Sequence, residues 1–207
     1  VRLRFINGGA QSTFDVRIPG LDMQVVMVDG KAVKPVDIYE FRIGVAETYD
    51  VLVRPRLDQP FTIFAESLDR SGYARGTLSP EMGLEAPVPV LRHRPVRTLE
   101  DIGMGGMLPG KEMEMAMDKD DEPGPRPFKP GRNINVAMHV KMPKHRYMEP
   151  GIGLGSDGWK VLTYKDLVSN EPQPYKPEVD REMTINLTAN MERFMFSFDG
   201  MKYSEHP

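Results

Sequence analysis

The chain has 207 residues, enough for one or two domains with a substantial buried core. Its 27 Lys and Arg nearly cancel 30 Asp and Glu, leaving a net charge of −3 without the basic excess of a duplex-binding domain, so nucleic acid is not an expected partner. No run reaches the roughly 18 to 20 uninterrupted apolar residues of a membrane span, and zero Cys excludes disulfides, zinc ribbons, iron–sulfur clusters, thiol catalysis and thiolate-bound copper within these residues.

The first 95 residues read as a β-sandwich. Val1, Leu3 and Phe5 alternate with Arg2 and Arg4, the period-2 pattern of a half-buried strand, until Asn7-Gly8-Gly9 breaks it. Further strands are predicted at Phe14–Ile18, Gln24–Val28, Val36–Val45, Tyr49–Val53, Phe61–Ala65 and, more weakly patterned, Tyr73–Leu78. Pro19-Gly20, Asp29-Gly30 and Arg54-Pro55 close three of them. Short strands recurring every 8 to 12 residues or so between turn residues predict an antiparallel sandwich or barrel. The 19 Gly and 19 Pro favour the same class, many short elements joined by turns.

Residues 86–98 read as an extended linker, because the spacing of Pro87 and Pro89 disfavours helix and central strand. Composition then shifts. Gly103–Gly110 leads into Lys111–Met117, an acidic patch at Asp118–Glu122 and a Pro-rich run at Pro123–Pro130, a low-complexity stretch unlike a packed core. Order is expected again near Ile152, with Trp159–Tyr164 and a short helical turn through Asp166-Leu167. Pro172, Pro174 and Pro177 mark a second linker, and alternation returns in Glu182–Leu187 and Arg193–Phe198 before Asp199-Gly200. Val1 opens directly in a strand and Pro207 follows one closely, so the sequence reads as an internal piece of a longer protein.

Few motifs carry chemistry. His93, His139, His145 and His206 form no His-x-His pair or other metal-ligand spacing, and His139 and His145 read as solvated residues of a basic loop. No Gly-x-Ser-x-Gly or Walker-type loop is present, and Gly103-Met104-Gly105-Gly106 lacks the strand-to-helix setting of a dinucleotide loop. No catalytic or cofactor-binding residue is therefore assigned. The pointed feature is methionine, at 15 positions. Met104, Met107, Met113, Met115 and Met117 fall within 14 residues, with Glu112, Glu114 and Asp118 adding negative field. Thioethers are soft neutral donors suited to Cu(I) or Ag(I). Two readings stay open: soft-metal contact, or Met as adaptable apolar filler.

A resemblance follows from particular residues. Arg2–Asn7 resembles the strand opening the middle cupredoxin domain of multicopper oxidases, Val28–Pro35 its next hairpin, and Ala46–Val53 its Glu-x-Tyr-Asp-Val strand. Among these oxidases the chain is similar to the bacterial copper-resistance (CopA) family, notably in Tyr73–Leu78, the Met-rich insertion, Pro150–Leu154 and Asn190–Gly200. The resemblance implies an all-β, plastocyanin-like sandwich, then a Met-rich low-complexity segment and the first strands of a further cupredoxin domain. The implied boundaries are residues 1–95 for an incomplete middle domain, 96–151 for the insertion, and 152–207 for a linker and the opening of the third domain.

The family takes single electrons at a blue copper and reduces dioxygen at a trinuclear cluster, through paired His-x-His motifs and a His-Cys-His that this sequence lacks. The resemblance thus implies an oxidoreductase parent, and a chain inactive alone that spaces the copper-bearing domains. Copper ions and the remaining cupredoxin domains are the implied partners, the periplasm the implied compartment, and Met104, Met107, Met113, Met115 and Met117 the candidate cuprous contacts. The alternative is a free-standing periplasmic copper-buffering module without catalysis.

Overall fold

The computed structural model describes residues 1–98, 101, 135, 146–171, 178–190 and 192–205. Two compact units are present, one spanning Val1–Val96 and His145–Pro174, the other Arg97–Lys144 and Tyr175–Pro207. The first is an antiparallel sandwich. Its strands are β1 (Arg2–Ile6), β2 (Phe14–Arg17), β3 (Met23–Val28), β4 (Lys31–Ile38), β5 (Glu40–Ile43), β6 (Thr48–Val53), β7 (Phe61–Ser67) and β8 (Tyr73–Leu78). They form one sheet in the order β1-β6-β3-β4 and a second in the order β5-β2-β7-β8. The all-β, antiparallel class expected from the spacing of strands and turns is what the chain adopts.

Between the sheets lie the alternate apolar residues of each strand: Val16, Met23, Val25, Ile38, Phe41, Tyr49, Val51, Val53 and Phe61, with Leu3, Phe5 and Ile63 packed against them. Phe41 sits at the centre, its ring 5.3 Å from Phe5 edge-on and 5.0 Å from Tyr49. Period-2 patterning decides this arrangement, since a slip of one residue would turn every one of these side chains outward. The β3–β4 hairpin is closed by Asp29 and Gly30 at φ 46° and 77°. Positive φ at both central residues suits the primed turn whose twist matches its flanking strands, and Asp-Gly supplies it cheaply. Asp29 also accepts a 2.7 Å hydrogen bond from the Thr48 backbone N–H through Oδ1.

The strands around β4 and β5 differ from expectation. The apolar run Val36–Val45 is not one strand; it breaks at Tyr39, so that β4 ends in the first sheet and β5 begins in the second. Continuous hydrophobicity hides such a sheet change, because both halves point apolar residues into the same core. Pro35 lies within β4, which the order of the sheet places at its edge, where a missing N–H is tolerated. That edge is covered: Lys34 N–H donates to Val168 O at 2.8 Å and Asn170 N–H to Ala32 O at 3.0 Å.

In the second unit, β9 (Leu187–Asn190) and β10 (Met195–Phe198) form a hairpin with Leu187 opposite Phe198. Strand structure here starts at Leu187 rather than filling Glu182–Leu187. Thr188 and Ser197 are buried and share a 2.6 Å hydroxyl hydrogen bond, while Phe196 and Phe198 on the other face are exposed. Asp199-Gly200 repeats the positive-φ pair at 51° and 82°. Among the described residues no helix is long and apolar enough to cross a membrane.

Candidate functional site

The outer face of the second sheet carries the unit's dense chemistry. Residues alternating with the core set point there: Asp15 and Arg17 from β2, Glu40 and Arg42 from β5, Thr62, Phe64 and Glu66 from β7. A half-exposed antiparallel sheet would leave this face to water. Here it is buried, because the extended stretch through residues 86–95 and the returning stretch from Gly151 to Leu162 lie across it. Thr62 Oγ1 donates to Pro87 O at 2.8 Å, Leu162 N–H to Glu40 O at 2.9 Å, and Val161 bridges Glu40 in parallel register.

Burying this face forces its charges to pair. Asp15, with a fully buried carboxylate, accepts from Arg42 at 2.7 and 3.1 Å and from Arg70 Nη1 at 2.7 Å. Glu40 receives both terminal nitrogens of Arg92 at 2.6 and 2.8 Å, the two-pronged geometry that guanidinium and carboxylate share. Glu66 accepts the Arg92 backbone N–H at 2.6 Å and lies 3.5 Å from Arg70. Arg92 reaches on to Asp157 at 3.0 Å, and Arg42 donates to Ile152 O at 2.8 Å. The Arg17 guanidinium stands 5.1 Å from the Phe64 ring and 5.5 Å from Trp159, which Arg92 also faces at 5.8 Å.

The electrostatics follow from burial against pairing. Desolvation pushes the Glu40 carboxyl up despite its bond to Arg92. Burial, reinforced by the neighbouring Arg92 charge, pulls the Arg17 guanidinium down. Burial also opposes the Arg92 charge, but Glu40, Asp157 and Glu66 outweigh it and raise that group. On the first sheet, Arg4 and Arg2 clasp Asp50 and hold its carboxyl down to about 2. Tyr164 donates to Glu47 Oε1 at 2.7 Å and is pushed up to about 12 by that bond first and burial second.

Sequence reading missed this layer. Each charged residue looked like the solvent half of an alternating strand, and nothing local announces that a linker more than twenty residues downstream will cover it. The usable signal was the sign pattern, an acidic and a basic residue two positions apart at Asp15 and Arg17 and again at Glu40 and Arg42. Of the residues expected to touch metal, Met104, Met107, Met113, Met115 and Met117 lie outside the described residues. His139, His145 and His206 do as well, and His93 is exposed.

Copper asks for grouped imidazole, thiolate or thioether donors. Among the described residues no three His, Cys, Asp or Glu side chains come together as a metal set, and the clustered carboxylates of the layer are each occupied by guanidinium. The described residues therefore supply no imidazole, thiolate or carboxylate set that fits a copper centre. What the layer does chemically is fasten two backbone segments to a sheet.

Residues 1–82 match the family model for multicopper oxidase. Along 99% of its length the chain is 42% identical to copper resistance protein A of Escherichia coli, of which it covers 41%. It is 39% identical to copper resistance protein A of Pseudomonas syringae pv. tomato, again over 99% of this chain and 41% of that protein. Among solved structures, Fet3p, a multicopper oxidase that functions in iron import, aligns over 48% of this chain and 20% of its own at 22% identity, with a TM-score of 0.38. The chain thus spans about two-fifths of the length of the curated relatives it matches. By these matches the chain is similar to the multicopper oxidases over residues 1–82 and, along nearly its whole length, to copper resistance protein A.

Proposed function

We propose that this chain is the central, structural section of a periplasmic copper-resistance oxidase that couples one-electron oxidation, of a substrate or of cuprous ion, to dioxygen reduction. Residues 1–95 are the middle cupredoxin domain and 96–151 the Met-rich insertion. Residues 152–207 are the linker, its first part docked on the sandwich up to Glu171, and the opening strands of the third domain. The copper donors of the whole protein belong to its other cupredoxin domains, which are this section's partners. Met104, Met107, Met113, Met115 and Met117 offer thioethers to cuprous ions, which are substrate or cargo here.

One observation carries the scaffold reading: the sandwich commits its buried charges to holding backbone segments, with Asp15, Glu40 and Glu66 each bound to arginine. A spacer between redox centres must keep their separation fixed, and a doubly buried sheet is stiffer than a solvated one. The test has two arms. Anaerobic titration with Ag(I) or Cu(I), read through methionine methyl NMR signals, shifts the five insertion methyls and leaves buried Met23 in place. Unmoved insertion signals refute thioether binding. Cupric loading of this chain gives neither a blue thiolate band nor dioxygen uptake; either result would remove the scaffold reading.

A further inference from the structure

We propose that Arg92, Asp157 and Trp159 form a latch that fastens both ends of the stretch 97–145 to one spot on the sandwich, making that stretch an excursion closed at its base. The chain leaves along residues 86–95 and comes back from residue 146, and the two paths meet within the first unit. Arg92 on the outgoing path bonds Asp157 on the returning one, 65 residues later, at 3.0 Å. Near it the returning backbone runs against the Pro95 ring: a Cβ at Gly153 would lie 3.0 Å from Pro95 Cβ and 3.2 Å from its Cγ, so only glycine fits there. Beneath them both strands of the path are anchored to the same sheet. Arg92 is tied to Glu40 and Glu66, and the returning Ile152 carbonyl to Arg42, which is itself held by Asp15. Trp159 closes the arrangement, its ring facing both Arg17 of the sheet and Arg92 of the outgoing path.

The consequence is mechanical. With both ends held at the base, the sandwich senses the length of 97–145 only weakly, because closing a loop costs free energy that grows only with the logarithm of its length. A thioether-bearing stretch can therefore be lengthened, shortened or rewritten without unfolding the sandwich. The proposal stands on the described residues and is independent of metal binding by the insertion.

The test uses the full chain, whose single tryptophan is Trp159. Asp157→Asn takes the charge out of the outer contact, and its amide oxygen keeps an acceptor for the Trp159 backbone N–H that Asp157 Oδ1 accepts at 3.3 Å. An exposed ion pair is worth up to about 1 kcal/mol, so tryptic cleavage at Lys160 rises about two- to fivefold, and Trp159 emission moves to the red. Arg92→Met also frees Glu40 and raises cleavage more than tenfold. If that variant fails to fold, Asp157→Asn still decides. Replacing 97–145 by a short Gly-Ser linker leaves Trp159 emission where it was and the urea midpoint unchanged or higher. Unaltered cleavage in Asp157→Asn, or a lowered midpoint in the shortened chain, overturns the latch.

Discussion

Asp15→Asn is the sharpest probe of the buried charge layer. The native carboxylate is completely shielded and serves two guanidiniums, Arg42 and Arg70. Asparagine keeps the volume and one acceptor oxygen but removes the charge. Arg42 retains the Ile152 carbonyl and some contact with solvent, since its side chain is 22% exposed. Arg70 has no such escape: its side chain is 2% exposed, and what is left to it is Ser67 O at 3.0 Å and Glu66 at 3.5 Å. Removing one partner of a buried pair typically costs 3–5 kcal/mol, because the other charge is left without compensation. The retained amide oxygen puts Asp15→Asn near the lower end, about 3 kcal/mol. That is a large part of the 5–15 kcal/mol by which domains are usually stable. In urea, with a slope of about 2 kcal/mol/M, the midpoint falls by about 1.5 M. Trp159 emission reports it, with Asp157→Asn, whose carboxylate is 36% exposed, as the control expected to lose less than about 1 kcal/mol. Adding Arg70→Met to Asp15→Asn restores much of the loss, since the stranded charge goes with it. Equal costs for the two single variants, or a double variant worse than Asp15→Asn, would show that burial of unpaired charge is not what the layer avoids.

The layer's geometry and the opposite sheet give two further predictions. A methyl group at Gly151 collides with the Arg42 guanidinium, so Gly151→Ala lowers Tm by an amount equivalent to about 1–3 kcal/mol. The same change made in an Arg42→Ala background costs almost nothing, whereas additive costs would dissociate the two residues. Asp50, with its carboxyl held down to about 2, contributes stability that is complete above the unfolded value near 4 and is lost as pH falls through about 2. Urea titrations between pH 6 and pH 2 therefore show a flatter curve for Asp50→Asn, which is less stable at pH 6 by up to about 2 kcal/mol once the exposure of Arg2 and Arg4 is allowed for. An unchanged slope would remove Asp50 from the acid response.

The core was legible because its signal is local. Leu3 and Phe5, or Phe61, Ile63 and Ala65, declare which face turns inward within five residues. Asp-Gly at Asp29-Gly30 likewise declares its turn through a backbone requirement of two residues. The charged layer was not legible, because its meaning depends on partners far apart in the chain. Arg42 as a strand residue with a polar outer face is indistinguishable from Arg42 bonded to Ile152, 110 residues away. The break at Tyr39 was hidden for a related reason. Ile38 and Phe41 feed one core from opposite sheets, and hydrophobicity reports depth without reporting which sheet supplies it.

The same distance dependence explains how a charged face came to be buried at all. A sheet whose outer face were apolar would cover itself with any hydrophobic segment, in any register. Guanidinium–carboxylate pairs are directional, and an unmade pair in the interior costs more than a made one gains. Glu40 and Glu66 therefore accept a covering strand only when Arg92 arrives in register, its backbone N–H on Glu66 and its side chain on Glu40. Register fixed at Arg92 fixes where the chain leaves the sandwich, and Arg42 with Ile152 fixes where it returns. Polar burial, a poor source of stability, is here a source of position, and position is what the proposed scaffold role requires.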